Sequence, residues 1–319
     1  MGAFVKGVVV VTGAYGFVGS ALCPLLERQG WVVRRAVRLP RQPGDSVVGD
    51  IGPDTQWQST LAGASTIVHL AARTHVLHDH AADPMAAYRH INVDGTSGLI
   101  KAAERVGVQR LVFMSSIKVN GETAQGGPFD EAMTPCPQDA YGITKREAED
   151  IVRASALETT ILRPPLVYGP GVKANFLKLM RFVARGVPLP LASVNNRRSL
   201  IYVGNLVHAI ATSLEHPQAI GKTFLVRDAE LPSIADLIRR MAAALGVAPR
   251  LLPCPPQLLK LAATVTGHAS EWQRVGSSIE INGSAIHRTL GWLPPYTLDQ
   301  GLTATAEWYH REFPIKSTT

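Results

Sequence analysis

Short apolar runs alternate with helix-patterned stretches through the first half of the chain. Gly7–Thr12 contains the continuous run Val8–Val11 and stops at a glycine, which predicts a strand covered on both faces. Phe17–Arg28 has the period of a helix, and Trp31–Val37 reads as a second strand. Ser65–Leu70 and Arg110–Ser115 are further buried strands, separated by a long helical pattern around Met85–Arg105. Ala140–Ala156 predicts another helix and Thr159–Leu162 another short strand. Such alternation specifies an α/β fold, a parallel sheet with helices on both faces.

The texture changes after Arg163. Pro164, Pro165, Gly169, Pro170 and Gly171 form a loop cluster, followed by a helix at Ala174–Arg185. Ser199–Tyr202 and Thr223–Val226 read as strands that return to the main sheet, with a helix, Val203–Glu215, between them. From Leu231 onward the chain is helical and punctuated by proline, the pattern of a substrate lid. The expected layout is discontinuous: residues 1–169 and 200–226 form a dinucleotide-binding domain, and residues 170–199 and 227–319 a smaller, mainly helical substrate domain.

Charge narrows the partners. A net charge of +7 invites a nucleic-acid reading. The basic residues are dispersed, however, apart from Arg34, Arg35, Arg38 and Arg41, and no helix-turn-helix, zinc-finger or RNP pattern accompanies them. The excess suits a small substrate carrying several phosphates, and no nucleic-acid partner is expected. Cys23, Cys136 and Cys254 form no C-x-x-C pair, so neither a metal site nor a disulfide framework is expected, and a cytoplasmic location is. The start of the chain does not read as a secretory signal. Leu251–Thr266 is apolar, but Pro253, Pro255, Pro256 and Lys260 interrupt it, so no integral membrane segment is expected. Leu258–Val265 reads as a helix packed on the smaller domain, in preference to a membrane-surface helix.

Two motifs carry chemistry. Thr12-Gly13-Ala14-Tyr15-Gly16-Phe17-Val18-Gly19 lies between the first strand and the first helix. Gly13 permits a tight turn, Gly16 lets backbone approach a pyrophosphate, and Gly19 lets the helix pack on the sheet. The helix start at Phe17 and Val18 offers free N–H groups and a favourable dipole to the anion. In Tyr141-Gly142-Ile143-Thr144-Lys145, residues four apart share one helix face, so the phenol and the ammonium reach one ligand. A fixed positive charge favours the phenolate, which can take a proton from a hydroxyl or return one to a carbonyl oxygen.

The G-x-x-G-x-x-G spacing together with these residues resembles the extended branch of the short-chain dehydrogenase/reductase family, which includes UDP-galactose 4-epimerase and related sugar-nucleotide enzymes. Asp50-Ile51, His69-Leu70-Ala71-Ala72, Asn92-Val93-Asp94-Gly95-Thr96, Leu290-Gly291-Trp292 and Asp299-Gln300-Gly301-Leu302 match it in order. The resemblance implies a Rossmann-type doubly wound sheet and an NAD or NADP cofactor. It implies that Asp50 and Ile51 contact the adenine, that Leu70, Ala71 and Ala72 line the cofactor, and that Pro164 joins them. It makes Ser116 the third catalytic group beside Tyr141 and Lys145, with Ser116 and Tyr141 also touching substrate and Lys145 on the nicotinamide ribose. Asn175, Arg198 and, on a looser match, Arg274 are implied on the UDP moiety, and a homodimer built on Met85–Arg105 and Ala140–Ala156 is implied as well.

One departure is informative. Val37-Arg38 stands where an NAD-preferring member places an acid. Arg38 either pairs with a 2′-phosphate, favouring NADPH, or stacks on the adenine. The expected activity is hydride transfer at C4 of a UDP-hexose or UDP-N-acetylhexosamine. Arg38 tips the expectation toward a 4-keto sugar reductase. A 4-epimerase is the alternative, and a non-catalytic NADP-binding sensor is disfavoured by Ser116, Tyr141 and Lys145. No acid pair follows Ser116, as a dehydratase would require.

Overall fold

The computed structural model describes residues 6–74, 81–122 and 127–314, with the side chains of Ser270, Glu271 and Arg274 outside that set. The strands are β1 (Gly7–Thr12), β2 (Trp31–Val37), β3 (Ser46–Val47), β4 (Thr66–His69), β5 (Arg110–Met114), β6 (Glu158–Arg163), β7 (Leu166–Tyr168), β8 (Leu200–Tyr202) and β9 (Lys222–Leu225). The helices in the first part are α1 (Phe17–Arg28), α2 (Gln58–Leu61), α3 (Pro84–Arg89), α4 (Gly95–Val106) and α5 (Ala140–Ala154). They are followed by α6 (Ala174–Ala184), α7 (Val203–Glu215), α8 (Ile234–Ala244), α9 (Pro256–Val265), α10 (Ala269–Gly276), α11 (Ser284–Leu290) and α12 (Leu298–Glu312).

Seven strands form one parallel sheet in the order β3-β2-β1-β4-β5-β6-β9. The apolar runs explain why it is covered on both sides. Val9 and Val11 join the core shared with α1 and α7, whereas Val10 points into the core shared with α2, α4 and α5. Val112 and its neighbours Leu111 and Phe113 divide in the same way on β5. The order reverses between β1 and β4. Ligands of such sheets bind in the crevice beyond the strand ends at that point.

Two expectations change. Ser199–Tyr202 does not return to the main sheet: β8 pairs with β7 in a separate two-stranded parallel sheet. Pro164 and Pro165 lack the N–H groups that would continue the ladder beyond β6, so the chain leaves the sheet there. β9 takes the edge beside β6, as expected for Thr223–Val226. The single helix expected around Met85–Arg105 is broken into α3 and α4 by a π-helical turn at His90–Asp94. That wide turn holds Asn92, whose buried side chain bonds a neighbouring segment.

A further core joins α6, α8 and α12 through Phe176, Met180, Ile238, Met241 and Leu302. The small sheet connects it to the first part, since Ile201 lies in the α1–α7 core while Tyr168 and Leu200 lie in this one. We propose this core as the body of the substrate domain.

Candidate active site

The turn after β1 is shaped by its glycines. Gly13 has φ +66°, and a Cβ there would lie 3.0 Å from the Ala71 nitrogen. A Cβ on Gly19 would lie 2.3 Å from the Gly13 carbonyl oxygen, so the helix reaches the turn only without a side chain. Gly16 is the N-cap of α1, and no side chain caps that helix. The N–H groups of Phe17, Val18 and Gly19 therefore fit an anion seated at the helix start, the place of a dinucleotide's pyrophosphate.

A buried polar chain ties this turn to the catalytic helix. Thr12 Oγ1 accepts from the Leu70 and Ala71 N–H groups, 3.1 Å each, so its own proton goes to His69 Nδ1 at 2.7 Å. His69 Nε2 then donates to Thr96 Oγ1 at 3.0 Å, and Thr96 donates to the Asn92 carbonyl at 2.7 Å. The Asn92 side chain accepts from the Arg73 N–H at 2.8 Å and donates to the Arg73 carbonyl and to Thr144 Oγ1, both at 3.1 Å. Thr144 adjoins Lys145 on α5. The tautomer of His69 follows from the partners, each of which has one role left.

Burial, aided by the Lys145 charge, pushes His69 down to about 3. Unfolded histidine titrates near 6.5, so between those values the unfolded chain binds the extra proton. Stability is expected to fall as pH drops from about 6.5 toward 3, read from urea midpoints. His69→Asn should start less stable and lose less over that window; a parallel decline would assign the effect to other groups.

The catalytic candidates converge at the ends of β5 and α5. Asp139 caps α5 by accepting from the Gly142 N–H at 2.7 Å, which places Tyr141 in the first turn and Lys145 one turn on. Ser116 follows β5 in extended backbone, and its hydroxyl is hydrogen-bonded to the Tyr141 phenol. Burial pushes the phenol up to about 12, and the Ser116 bond pulls it partly back. Burial pushes Lys145 down to about 7, with the Glu149 carboxylate pulling upward. The Lys145 ammonium sits 3.9 Å from the centroid of the Phe113 ring. A phenol, an alcohol and an amine thus share one site, an arrangement that can move a proton at a hydroxyl group.

Ser115 faces elsewhere: it donates to Glu149 Oε1 at 2.6 Å. Glu149 also accepts from Arg163 Nε at 2.8 Å and Nη2 at 2.6 Å, and from Arg153 at 2.7 Å. Arg163 completes its fork on Asn120 Oδ1 at 2.9 Å. Glu149 and Arg163 are 0% and 3% exposed, so this is a fully interior ion pair directly behind Lys145.

Elsewhere the expected contacts are more dispersed. The arginine cluster separates: Arg34 donates to the Thr60 and Ala62 carbonyls, Arg35 pairs with Glu27, and Arg41 lies over the Tyr15 ring. Arg38, beyond the end of β2, pairs with Asp50 at 2.7 Å, both side chains largely exposed. Ile51, Leu70, Ala71 and Ala72 are half-buried, and the Pro164 carbonyl accepts from the Ile117 N–H at 2.9 Å, beside Ser116. Asn175 is exposed in the first turn of α6, a helix that no side chain caps at its start. Ala174 before it has φ +51°, an uncommon conformation for a residue with a side chain. Arg198 donates to the Ser277 carbonyl at 3.1 Å and the Val275 carbonyl at 3.4 Å, at the C-terminal end of α10. The Arg274 side chain lies outside the described residues.

The family model for the NAD dependent epimerase/dehydratase family matches residues 9–226. The chain belongs to that family. It is 41% identical over 309 residues to a UDP-glucose 4-epimerase of Vibrio cholerae, 94% of each chain being covered. It is 27% identical, with 94% of each covered, to an N-acetyl-alpha-D-glucosaminyl-diphospho-ditrans,octacis-undecaprenol 4-epimerase of Escherichia coli O157:H7. Among solved structures, MoeE5 in complex with UDP-glucose and NAD superposes with a TM-score of 0.76 at 26% identity, covering 96% of this chain and 99% of that one. This epimerase/dehydratase family member is an NAD-dependent enzyme of the short-chain dehydrogenase type. Sequence reasoning missed Glu149, although its place eight residues beyond Tyr141 on one helix face was a usable signal. It also missed the bonds that join His69 to Asn92.

Proposed function

We propose that this protein is a UDP-hexose 4-epimerase working with NAD. The observation that carries the reading is the joining of Ser116, Tyr141 and Lys145 beside the sheet's switch point, in a chain 41% identical to a UDP-glucose 4-epimerase. NAD, held by Gly13, Gly16, Gly19, Asp50, Ile51, Leu70, Ala71, Ala72, Pro164 and the ribose contacts of Lys145, would accept a hydride from C4 and return it. Tyr141 takes the proton of the C4 hydroxyl and later restores one. Ser116 donates a hydrogen bond to the C4 oxygen as negative charge develops. Lys145 in its charged form lowers the cost of the phenolate. Asn175 at the α6 start, with Arg198 and Arg274, engages the UDP end, whose binding energy steadies the hexose while either face is presented.

A 4-keto sugar reductase is the second reading, supported by Arg38 beyond β2, where its fork can meet a 2′-phosphate. Two further parts of the proposal are a cytoplasmic location and a homodimer formed through α4 and α5. The test incubates the enzyme with UDP-glucose, UDP-N-acetylglucosamine and a UDP-4-keto-6-deoxy-hexosamine, with and without NADPH. Inversion at C4 without added reductant is expected. NADPH consumption confined to the keto sugar would transfer the assignment to the reductase.

A further inference from the structure

Ser116 and Tyr141 come from different elements, and a side chain outside the catalytic set joins those elements. Ser116 is the N-cap of a 3-10 turn, Ile117–Val119, and its hydroxyl oxygen accepts from the Lys118 N–H at 3.2 Å. Lys118 then reaches across to α5. Its ammonium lies 3.3 Å from Asp139 Oδ2, while Asp139 Oδ1 accepts from the Gly142 N–H at 2.7 Å. One carboxylate therefore serves both elements. One oxygen fixes the first turn of α5, where Tyr141 sits, and the other holds the turn that follows Ser116. Glu122 pairs with the same ammonium.

The backbones are in contact as well. A Cβ on Gly142 would lie 2.7 Å from the Lys118 carbonyl oxygen, so the 3-10 turn comes this close to the helix only because residue 142 has no side chain. The contact also favours one direction for the Ser116 proton. The Lys118 N–H takes an acceptor site of the Ser116 oxygen, and a hydroxyl has one proton to give. That proton is left for the Tyr141 phenol or for the oxygen of a bound hydroxyl.

Folding energy does not account for the ion pairs. The side chains of Lys118, Glu122 and Asp139 are 27%, 29% and 34% exposed, and pairs with that much access to water stabilise a fold little. Catalysis, in contrast, is sensitive to displacements far too small to unfold a chain.

We propose that Lys118 is a positioning residue, which clamps the turn after β5 onto the start of α5 and so keeps the Ser116 hydroxyl aimed at the Tyr141 phenol and the reacting oxygen. The clamp rests on the catalytic reading of Ser116 and Tyr141 given above. It acts on the chemical step, and binding of the cofactor and of the UDP end is left to other residues.

A double-mutant cycle tests it. Lys118→Met keeps most of the aliphatic stem and removes the charge. It should lower kcat about tenfold, with KM for UDP-glucose and affinity for NAD changed about twofold or less. Its thermal midpoint should fall by about 3 °C or less. Asp139→Asn still caps α5, since asparagine serves as well as aspartate there, but it offers Lys118 no second oxygen. It should cost a similar factor, and the double variant should cost no more than either single one, because both changes open the same clamp. Turnover is read with UDP-glucose and, separately, with the 4-keto sugar and NADPH, which call on the same hydroxyl pair. With an active wild type, an unchanged kcat in Lys118→Met would overturn the clamp and leave the catalytic reading standing. Losses that multiply in the double variant would do the same, as would a raised KM at constant kcat, which would give Lys118 to substrate binding. Wild-type protein inert in both assays would overturn the catalytic reading, and the clamp with it.

Discussion

Tyr141→Phe is expected to reduce kcat by about 100-fold or more, with NAD affinity changed only a few-fold. The ring keeps its volume and packing, so the loss isolates the hydroxyl. That hydroxyl bonds Ser116, and burial holds it protonated, up to about 12, with Lys145 pushed down to about 7 one helical turn away. The site therefore begins with a phenol that gives up its proton reluctantly, and an ammonium that is only partly charged at neutral pH. A positive charge arriving beside the phenol favours the phenolate, which is when Tyr141 can act as a base. Steady-state turnover and a cofactor titration on the same preparation check the prediction. An undiminished rate would remove Tyr141 from the chemistry.

Removing Glu149 should produce the largest loss of stability. Glu149→Ala leaves the Arg163 guanidinium inside the protein with only Asn120 for company, and it deprives Ser115 of its acceptor. Breaking a buried ion pair on one side costs about 3–5 kcal/mol, because the remaining charge is stranded in a low-dielectric interior. Arg153 reaches solvent and can rehydrate, so its lost bond adds little. Urea unfolding followed by circular dichroism measures the change. Glu149→Gln, which can still accept from Ser115, should fall between the wild type and the alanine variant. A loss under about 1 kcal/mol for the alanine variant would mean that water reaches Arg163.

Much of the fold was legible because its signals were local. Phe17–Arg28, Trp31–Val37 and Val203–Glu215 have the same bounds in the structure, each set off by glycine or by a change of hydrophobic period. The short strands were not legible in the same way. β7 has three residues after two prolines and reads as loop, whereas Ser199–Tyr202 reads as a strand but was given to the main sheet, because three residues of β8 do not say which partner they pair with. The π-helical turn inserts one residue into a helix, which leaves the apolar pattern nearly intact on both sides.

The site shows the same division. Glycine spacing and the Tyr141–Lys145 interval carry direct geometric meaning, so the tight turn and the shared helix of Tyr141 and Lys145 could be read from the chain. Glu149 went unread, although it lies two turns beyond Tyr141 on the same side of α5; its partner Arg163 comes from β6, so the interior pair appears only in the folded chain. Arg34, Arg35, Arg38 and Arg41 are neighbours in sequence, yet Arg34 and Arg35 point to opposite faces of β2 while Arg38 and Arg41 lie beyond its end, and the cluster disperses. On α9 the apolar content suggested packing, and the structure leaves half of it in water.

Isotope tracing at the reacting carbon tests the central claim most directly. The enzyme is incubated with UDP-glucose carrying deuterium at C4, in ordinary water and without added reductant, and the product is examined by NMR and mass spectrometry. Hydride removal and return predicts that the inverted sugar keeps its deuterium at C4. Inverted product that has exchanged the label for solvent hydrogen would contradict the account, because it would mean that C4 lost a proton.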